Sequence, residues 1–255
     1  MGYLLAGMRA IAIAAVFFLF GMAGLFLHIV LFREKKKLYS GLLTLAHNLA
    51  KCACFILNIR IEAEGELMNA DPGALIVSNH VGTPDILVLG SCFRAFYVSK
   101  MEFRSWPFLG ALTRLGGTIF VDRAKRLEVK DAIEEIKERL DLGQSVVLFP
   151  EAGVTDGQDI GPFKSPHFQA AILAGRPVLP VLIRYRDGRV PSIASWYDTT
   201  FFRHILALLK NRRLDAAVSI FPPLPGMEDR TLLAAECRRI LREAHQKGTA
   251  AAENN

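Results

Sequence analysis

Residues 74–92 read Ala-Leu-Ile-Val-Ser-Asn-His-Val-Gly-Thr-Pro-Asp-Ile-Leu-Val-Leu-Gly-Ser-Cys, and this stretch decides the fold. Its opening is apolar without alternation, as in a strand buried on both faces of a parallel sheet. Thr83 is placed to cap a helix that begins at Pro84, a position where the missing N–H is tolerated. Asp85 then falls in the first turn of that helix. A buried strand, a tight turn and a helix follow one another directly, which is the unit from which α/β domains are assembled.

Working outward, the same alternation continues on both sides. Strands are expected at residues 59–63, 74–78, 95–99, 118–121, 145–149, 178–184 and 216–221. Helices are expected at 84–92, 106–115, 127–142, 167–174 and 231–246. The fold class that follows is α/β, a largely parallel central sheet flanked by helices, with an N-terminal membrane-associated helical segment.

That segment is legible in its charges. Residues 10–32 contain no acid or base apart from His28, and as a helix they would reach roughly 35 Å, enough to cross a bilayer. Arg33, Glu34, Lys35, Lys36 and Lys37 follow in place of a small-residue cleavage site, so the helix reads as a retained anchor. The lysines hold the rest of the chain on the cytoplasmic side, with the N-terminus outward or the helix inserted shallowly. Residues 38–57 are amphipathic at helical spacing, fitting either the membrane interface or the surface of the globular body. The expected organisation is therefore residues 1–58 as membrane-anchoring helices, 59–246 as the α/β domain and 247–255 as a flexible tail. The expected location is the cytoplasmic face of a bacterial inner membrane.

Composition narrows the class further. The chain has 255 residues, 51% hydrophobic and 22% charged, which allows one catalytic-size domain with an anchor and excludes a chain buried wholly in lipid. Lys and Arg number 31 against 25 Asp and Glu, favouring anionic partners. Nucleic acid is the poorest of these, because the basic cluster adjoins an apolar helix and is not interleaved with aromatics. Cys52, Cys54, Cys92 and Cys237 form neither a disulfide framework nor paired metal spacing, so reduced thiols and no metal are expected.

In open α/β sheets ligands bind beyond the carboxyl ends of the strands, and four such ends carry polar residues. In Asn79-His80-Val81-Gly82-Thr83-Pro84-Asp85, the carboxylate can hold one imidazole nitrogen while the other accepts a proton from a hydroxyl. Taken alone, the pair reads more simply as a turn histidine beside a helix-capping acid. Phe120-Val121-Asp122-Arg123 delivers a guanidinium able to grip phosphate oxygens, or else a surface Asp–Arg pair. Phe149-Pro150-Glu151-Ala152-Gly153 follows another strand, its glycine permitting close approach of a ligand to the backbone, though such loops are ordinarily turns. Lys164 can add a second positive charge there, or be a solvated lysine.

Together, in this order, the His-x4-Asp turn preceded by Asn79, the Phe-Val-Asp-Arg block and Phe-Pro-Glu resemble the glycerolipid acyltransferase family, over about residues 74–181. The resemblance implies an acyl thioester donor (acyl-CoA or acyl carrier protein) and a lysophospholipid acceptor. It implies His80 as general base, Asp85 as its orienting partner and Asn79, Arg123, Glu151, Gly153 and Lys164 around the acceptor. No cofactor is expected beyond the donor; membrane lipids and acyl carrier protein are the expected partners. Lysophosphatidate leads as acceptor. In the third block, however, the family's usual Gly-Thr-Arg is replaced by Ala152-Gly153-Val154, which keeps lyso-ornithine lipid or lysophosphatidylglycerol open. A membrane-anchored binding protein that has lost catalysis is a further alternative, opposed by the intact His80 and Asp85. The sequence contains neither a Gly-x-Ser-x-Gly elbow nor a Gly-x4-Gly-Lys-Ser/Thr loop, which disfavours serine hydrolysis and P-loop phosphotransfer.

Overall fold

A computed structural model describes residues 2–65, 73–122, 124–224 and 226–253; Arg123 lies outside the described residues. The strands β1 (Ile59–Glu64), β2 (Leu75–Ser78), β3 (Ala95–Lys100), β4 (Ile119–Val121), β5 (Ser145–Leu148), β6 (Val178–Tyr185) and β7 (Leu214–Ile220) form one sheet in the order β1-β7-β6-β2-β5-β3-β4. Every neighbouring pair is parallel except β6 and β7. Five adjacent strands, β6-β2-β5-β3-β4, therefore end on the same edge. That edge carries the chemistry.

The helices are α1 (Gly2–Val30), α2 (Lys35–Leu57), α3 (Pro84–Cys92), α4 (Leu109–Leu115), α5 (Arg126–Asp141), α6 (Gln169–Ala174), α7 (Phe201–Lys210) and α8 (Arg230–Glu253). Side chains alternate across each strand, so Leu75 and Val77 face one layer with Ile133, Ile136, Leu140 and Phe168, whereas Ile76 faces Val88, Leu89 and Leu208 on the other. Both layers are apolar, and each fully buried Leu, Ile or Phe contributes about 1.5–3 kcal/mol relative to exposure.

The helices differ from expectation at four places. The helix expected at 106–115 begins at Leu109, because Leu109 N–H bonds the Pro107 carbonyl at 2.6 Å and bends the chain at Phe108. The helix expected at 167–174 is divided between a 3-10 turn, Pro166–Phe168, and α6. Helix α7 was not expected at all, although Phe201, Ile205, Leu208 and Leu209 have helical spacing. The last helix, α8, runs on to Glu253, through most of the segment expected as a tail.

Helices α1 and α2 are both long and apolar enough to cross a membrane. Of the two positions open to residues 38–57, the structure has the packed one: Leu42, Leu43, Ala50, Ala53 and Cys54 are buried, and the His47 ring bonds the Gly90 carbonyl of α3 at 2.8 Å. Helix α1 lies along the body at both ends. Near its start, the buried Arg9 donates to the Leu209 carbonyl at 3.1 Å and to the Asn211 carbonyl, where α7 leaves its last acceptors open. Near its far end, Gly21 and Gly24 let Leu112 and Leu115 of α4 approach closely. Its outer face exposes Leu4, Met8, Ile11, Phe18, Met22, Phe26 and Ile29, an apolar stripe at helical spacing.

Candidate active site

The strand β2 delivers Asn79 and His80 to the shared edge. Asn79 is buried, and its amide donates to the Ile183 carbonyl at 3.0 Å while its oxygen accepts the Ile183 N–H at 2.9 Å. The side chain thus extends the β2–β6 ladder one step beyond Ser78–Val181. It fixes where the turn begins.

The turn is then gathered around one carboxylate. Asp85 is fully buried, and its Oδ2 accepts the Val81 N–H at 2.6 Å, the Gly82 N–H at 3.0 Å and His80 Nδ1 at 2.8 Å. Its Oδ1 accepts the Tyr185 hydroxyl at 2.6 Å. Four donors compensate a group whose desolvation would otherwise cost several kcal/mol. The helix-cap expectation for Thr83 is corrected here: its backbone is already helical and it makes no capping bond. Its hydroxyl instead meets His204 Nε2 of α7 at 2.8 Å, and Asp85 satisfies the N–H groups ahead of the helix. Gly82 is required by contact, since a Cβ there would lie 2.0 Å from the Ala194 carbonyl oxygen.

His80 Nδ1 faces an acceptor-only partner, so the hydrogen sits on Nδ1 and Nε2 carries the lone pair. Among the described residues none bonds Nε2, and the side chain keeps 19% of its surface exposed. Phe149, immediately after β5, stacks on the imidazole with centroids 4.1 Å apart and planes at 16°. The His80 carbonyl accepts the Thr155 N–H at 2.9 Å, and the Val81 carbonyl accepts the Trp196 N–H at 3.0 Å. The imidazole is held from the sheet, the ring face and both flanking loops.

The remaining sequence candidates separate. Glu151 takes the His80 N–H on Oε1 at 2.9 Å and the Gly161 N–H on Oε2 at 2.8 Å. Burial pushes its carboxyl above the usual range, opposed by those two hydrogen bonds. Both oxygens brace the site backbone. Gly153 has open space where a Cβ would stand, so no neighbouring atom requires a glycine there. Lys164 is exposed while its N–H pairs with the Pro150 carbonyl at 2.9 Å, which ties its backbone to the same loop. Ala152 holds φ at +66°, a left-handed conformation that costs a residue with a Cβ about 1–2 kcal/mol. The family glycine missing at this position would relieve it.

The family model for acyltransferases matches residues 60–184, the segment that contains the Asn79–Asp85 turn and the Glu151 loop. The chain is similar to a lyso-ornithine lipid O-acyltransferase of Rhodobacter capsulatus, 33% identical over 235 residues, covering 87% of this chain and 84% of that one. The chain belongs to the glycerolipid acyltransferase family. It is also similar to a 1-acyl-sn-glycerol-3-phosphate acyltransferase of Neisseria gonorrhoeae, 36% identical over 139 residues that span 54% of each chain. The crystal structure of the 1-acyl-sn-glycerophosphate acyltransferase PlsC from Thermotoga maritima has the same fold, with a TM-score of 0.70 at 20% identity over 98% of both chains.

Two groups of this acyltransferase escaped sequence reasoning. Tyr185 closes β6, one residue past the expected strand end, and burial followed by the nearby Asp85 carboxylate raises its phenol well above the ordinary value. It stays a proton donor to Asp85. His204 sits on the unexpected α7, and burial lowers its pKa, opposed by Asp85 and a backbone bond at Ser195. The signal for Tyr185 was available as the polar end of an apolar strand; that for His204 lay in the spacing of α7.

Proposed function

We propose that the protein transfers a fatty acyl group from an acyl thioester to the free hydroxyl of a lysolipid, with His80 as general base. The observation that carries this reading is the imidazole whose Nδ1 is tied at 2.8 Å to a buried, four-donor carboxylate while none of the described residues bonds Nε2. The lysolipid hydroxyl gives its proton to Nε2 as its oxygen attacks the thioester carbonyl. Asp85 stabilises the imidazolium that forms. The tetrahedral intermediate collapses, the carbon–sulfur bond breaks, and the thiolate takes the proton back from Nε2. The ester and free thiol are released with no covalent enzyme intermediate, because the thioester is already activated for direct attack. The donor is acyl-CoA or an acyl carrier protein, both anionic partners for a chain of net charge +6.

For the acceptor we infer a lyso-ornithine lipid. The relative aligned over most of both chains carries that activity in its name, and the third block lacks the arginine usual at Val154. A second reading, lysophosphatidate, is favoured by the exposed cation Lys164 beside the loop and, on the sequence resemblance, by Arg123. Helix α1 is inferred to lie in one leaflet with its apolar stripe in lipid, since both of its ends are attached to the body. The test uses the full chain reconstituted in vesicles, both thioester donors and a panel of lyso-ornithine lipid, lysophosphatidate and lysophosphatidylglycerol. Preferential acylation of lyso-ornithine lipid is expected; preference for lysophosphatidate would transfer the assignment to the second reading, and failure to consume either thioester would leave a binding protein.

A further inference from the structure

The starts of α4 and α7 meet above the His80 turn. Trp106, two residues before Phe108, packs edge-on against Phe201 with centroids 4.7 Å apart. Phe103 and Phe201 both contact Trp196, at 6.1 and 5.3 Å, and the Trp196 N–H bonds the Val81 carbonyl beside His80. A chain of aromatic contacts therefore runs from this junction to Trp196, whose backbone is tied to the residue after His80. Phe108 and Phe202 stand on its outer side, and they are 92% and 83% exposed.

Phe108 is held outward by its backbone. Its φ of 57° and ψ of −55° close a three-residue turn through the 2.6 Å bond from Leu109 N–H to the Pro107 carbonyl, a conformation rarely adopted by a residue with a Cβ. Strain used to present a phenylalanine to water has no return there; in hydrocarbon the ring would gain the burial it lacks. The helices that carry the two rings both pack on α1, α7 through Arg9 and α4 through Leu112 and Leu115. Both rings thus stand on segments packed against α1, whose outer face carries the exposed apolar stripe. Arg104 and Arg114, both exposed, line a cleft beside α4 together with Glu102 and Asp122, and the two guanidiniums can meet anionic headgroups there.

We propose that Phe108 and Phe202 insert into the leaflet that holds α1 and form the lipid-facing rim of the passage by which a lysolipid reaches His80. Insertion stands on the exposed rings and on the packing of α4 and α7 against the apolar helix α1; the passage rests on the acyltransferase reading. Phe108→Trp, Phe202→Trp and, as a control on the opposite face of the sheet, Leu173→Trp are made in the full chain and reconstituted in phosphatidylethanolamine–phosphatidylglycerol vesicles. The emission added at 108 and at 202 is expected to be quenched by brominated acyl chains and shielded from aqueous acrylamide, with the reverse at 173. Acrylamide quenching at 108 or 202 equal to that at 173 would overturn insertion without reference to turnover. The double variant Phe108→Ser/Phe202→Ser is expected to lose at least fivefold in kcat/KM for a long-chain lysolipid in vesicles while keeping its rate on a short-chain, water-soluble acceptor. An equal loss on both acceptors, or no loss on either, would overturn the passage.

Discussion

The turn at residues 80–85 and the loop at 152–157 stand at the ends of neighbouring strands and are built on opposite terms. In the turn, Asp85 is fully buried, accepts four hydrogen bonds and has a glycine locked against Ala194. In the loop, Ala152 holds a strained backbone, Gly153 faces open space and the nearby Lys164 is exposed. On the proposed reading, the groups that hold the proton-transfer geometry are the desolvated and over-determined ones, and those facing the headgroup are left room to differ. That reading gives the reaction to the turn and the choice of acceptor to the loop.

Four outcomes test that division, beginning with the largest. His80→Ala should lower thiol release from the donor by about 10²–10⁴-fold, the range typical of a lost general base, with membrane association unchanged and about 1–3 kcal/mol lost in unfolding from the donor removed at Asp85. Wild-type turnover in that variant would break the division at its strongest point. Tyr185→Phe removes the 2.6 Å bond to Asp85 Oδ1 from a buried carboxylate; it should cost about 1–3 kcal/mol in denaturant unfolding and lower kcat roughly tenfold with KM nearly constant. Lys164→Gln, at an exposed cation, should raise KM for lysophosphatidate only about two- to fivefold and leave lyso-ornithine lipid unaffected. A drop in kcat with both acceptors would move Lys164 into the chemistry.

The smallest effect concerns pH. Burial raises the folded-state pKa of Glu151, so the native state holds this proton more tightly than the unfolded chain. Its contribution is present in acid and is lost as pH rises above about 4.3, the unfolded value, through the raised folded one. Stability profiles of wild type and Glu151→Gln should differ by a slope confined to that window, with wild type falling as pH rises. Parallel profiles would show that Glu151 titrates as an ordinary surface acid.

The buried strands and the strand-end turns were legible because unbroken apolar runs and Thr-Pro-Asp punctuation are local signals; all seven strands overlap the expected segments, although β1 alternates Ile59 and Ile61 with charged residues. The helix α7 was passed over because it follows a long irregular connection containing Pro191 and Asp198, which masked its short periodic stretch. The partners of Asn79 and Glu151 were not legible for a different reason. Their amide and carboxylate meet backbone groups 104 and 10 residues away, at Ile183 and Gly161, and such pairings arise only when the sheet is assembled. Arg9 shows the same limit in reverse, a lone charge in an apolar helix whose acceptors lie 200 residues on.

The most direct test is the ratio of kcat/KM for lyso-ornithine lipid to that for lysophosphatidate, measured for wild type and for Asp85→Asn in the same vesicles. Asparagine keeps the shape of Asp85 but offers one acceptor oxygen in place of two and no charge for the imidazolium. The account predicts that both rates fall at least about 10²-fold and that their ratio stays constant. A changed ratio, or a loss carried by KM with kcat preserved, would contradict the assignment of reaction to the turn and acceptor choice to the loop.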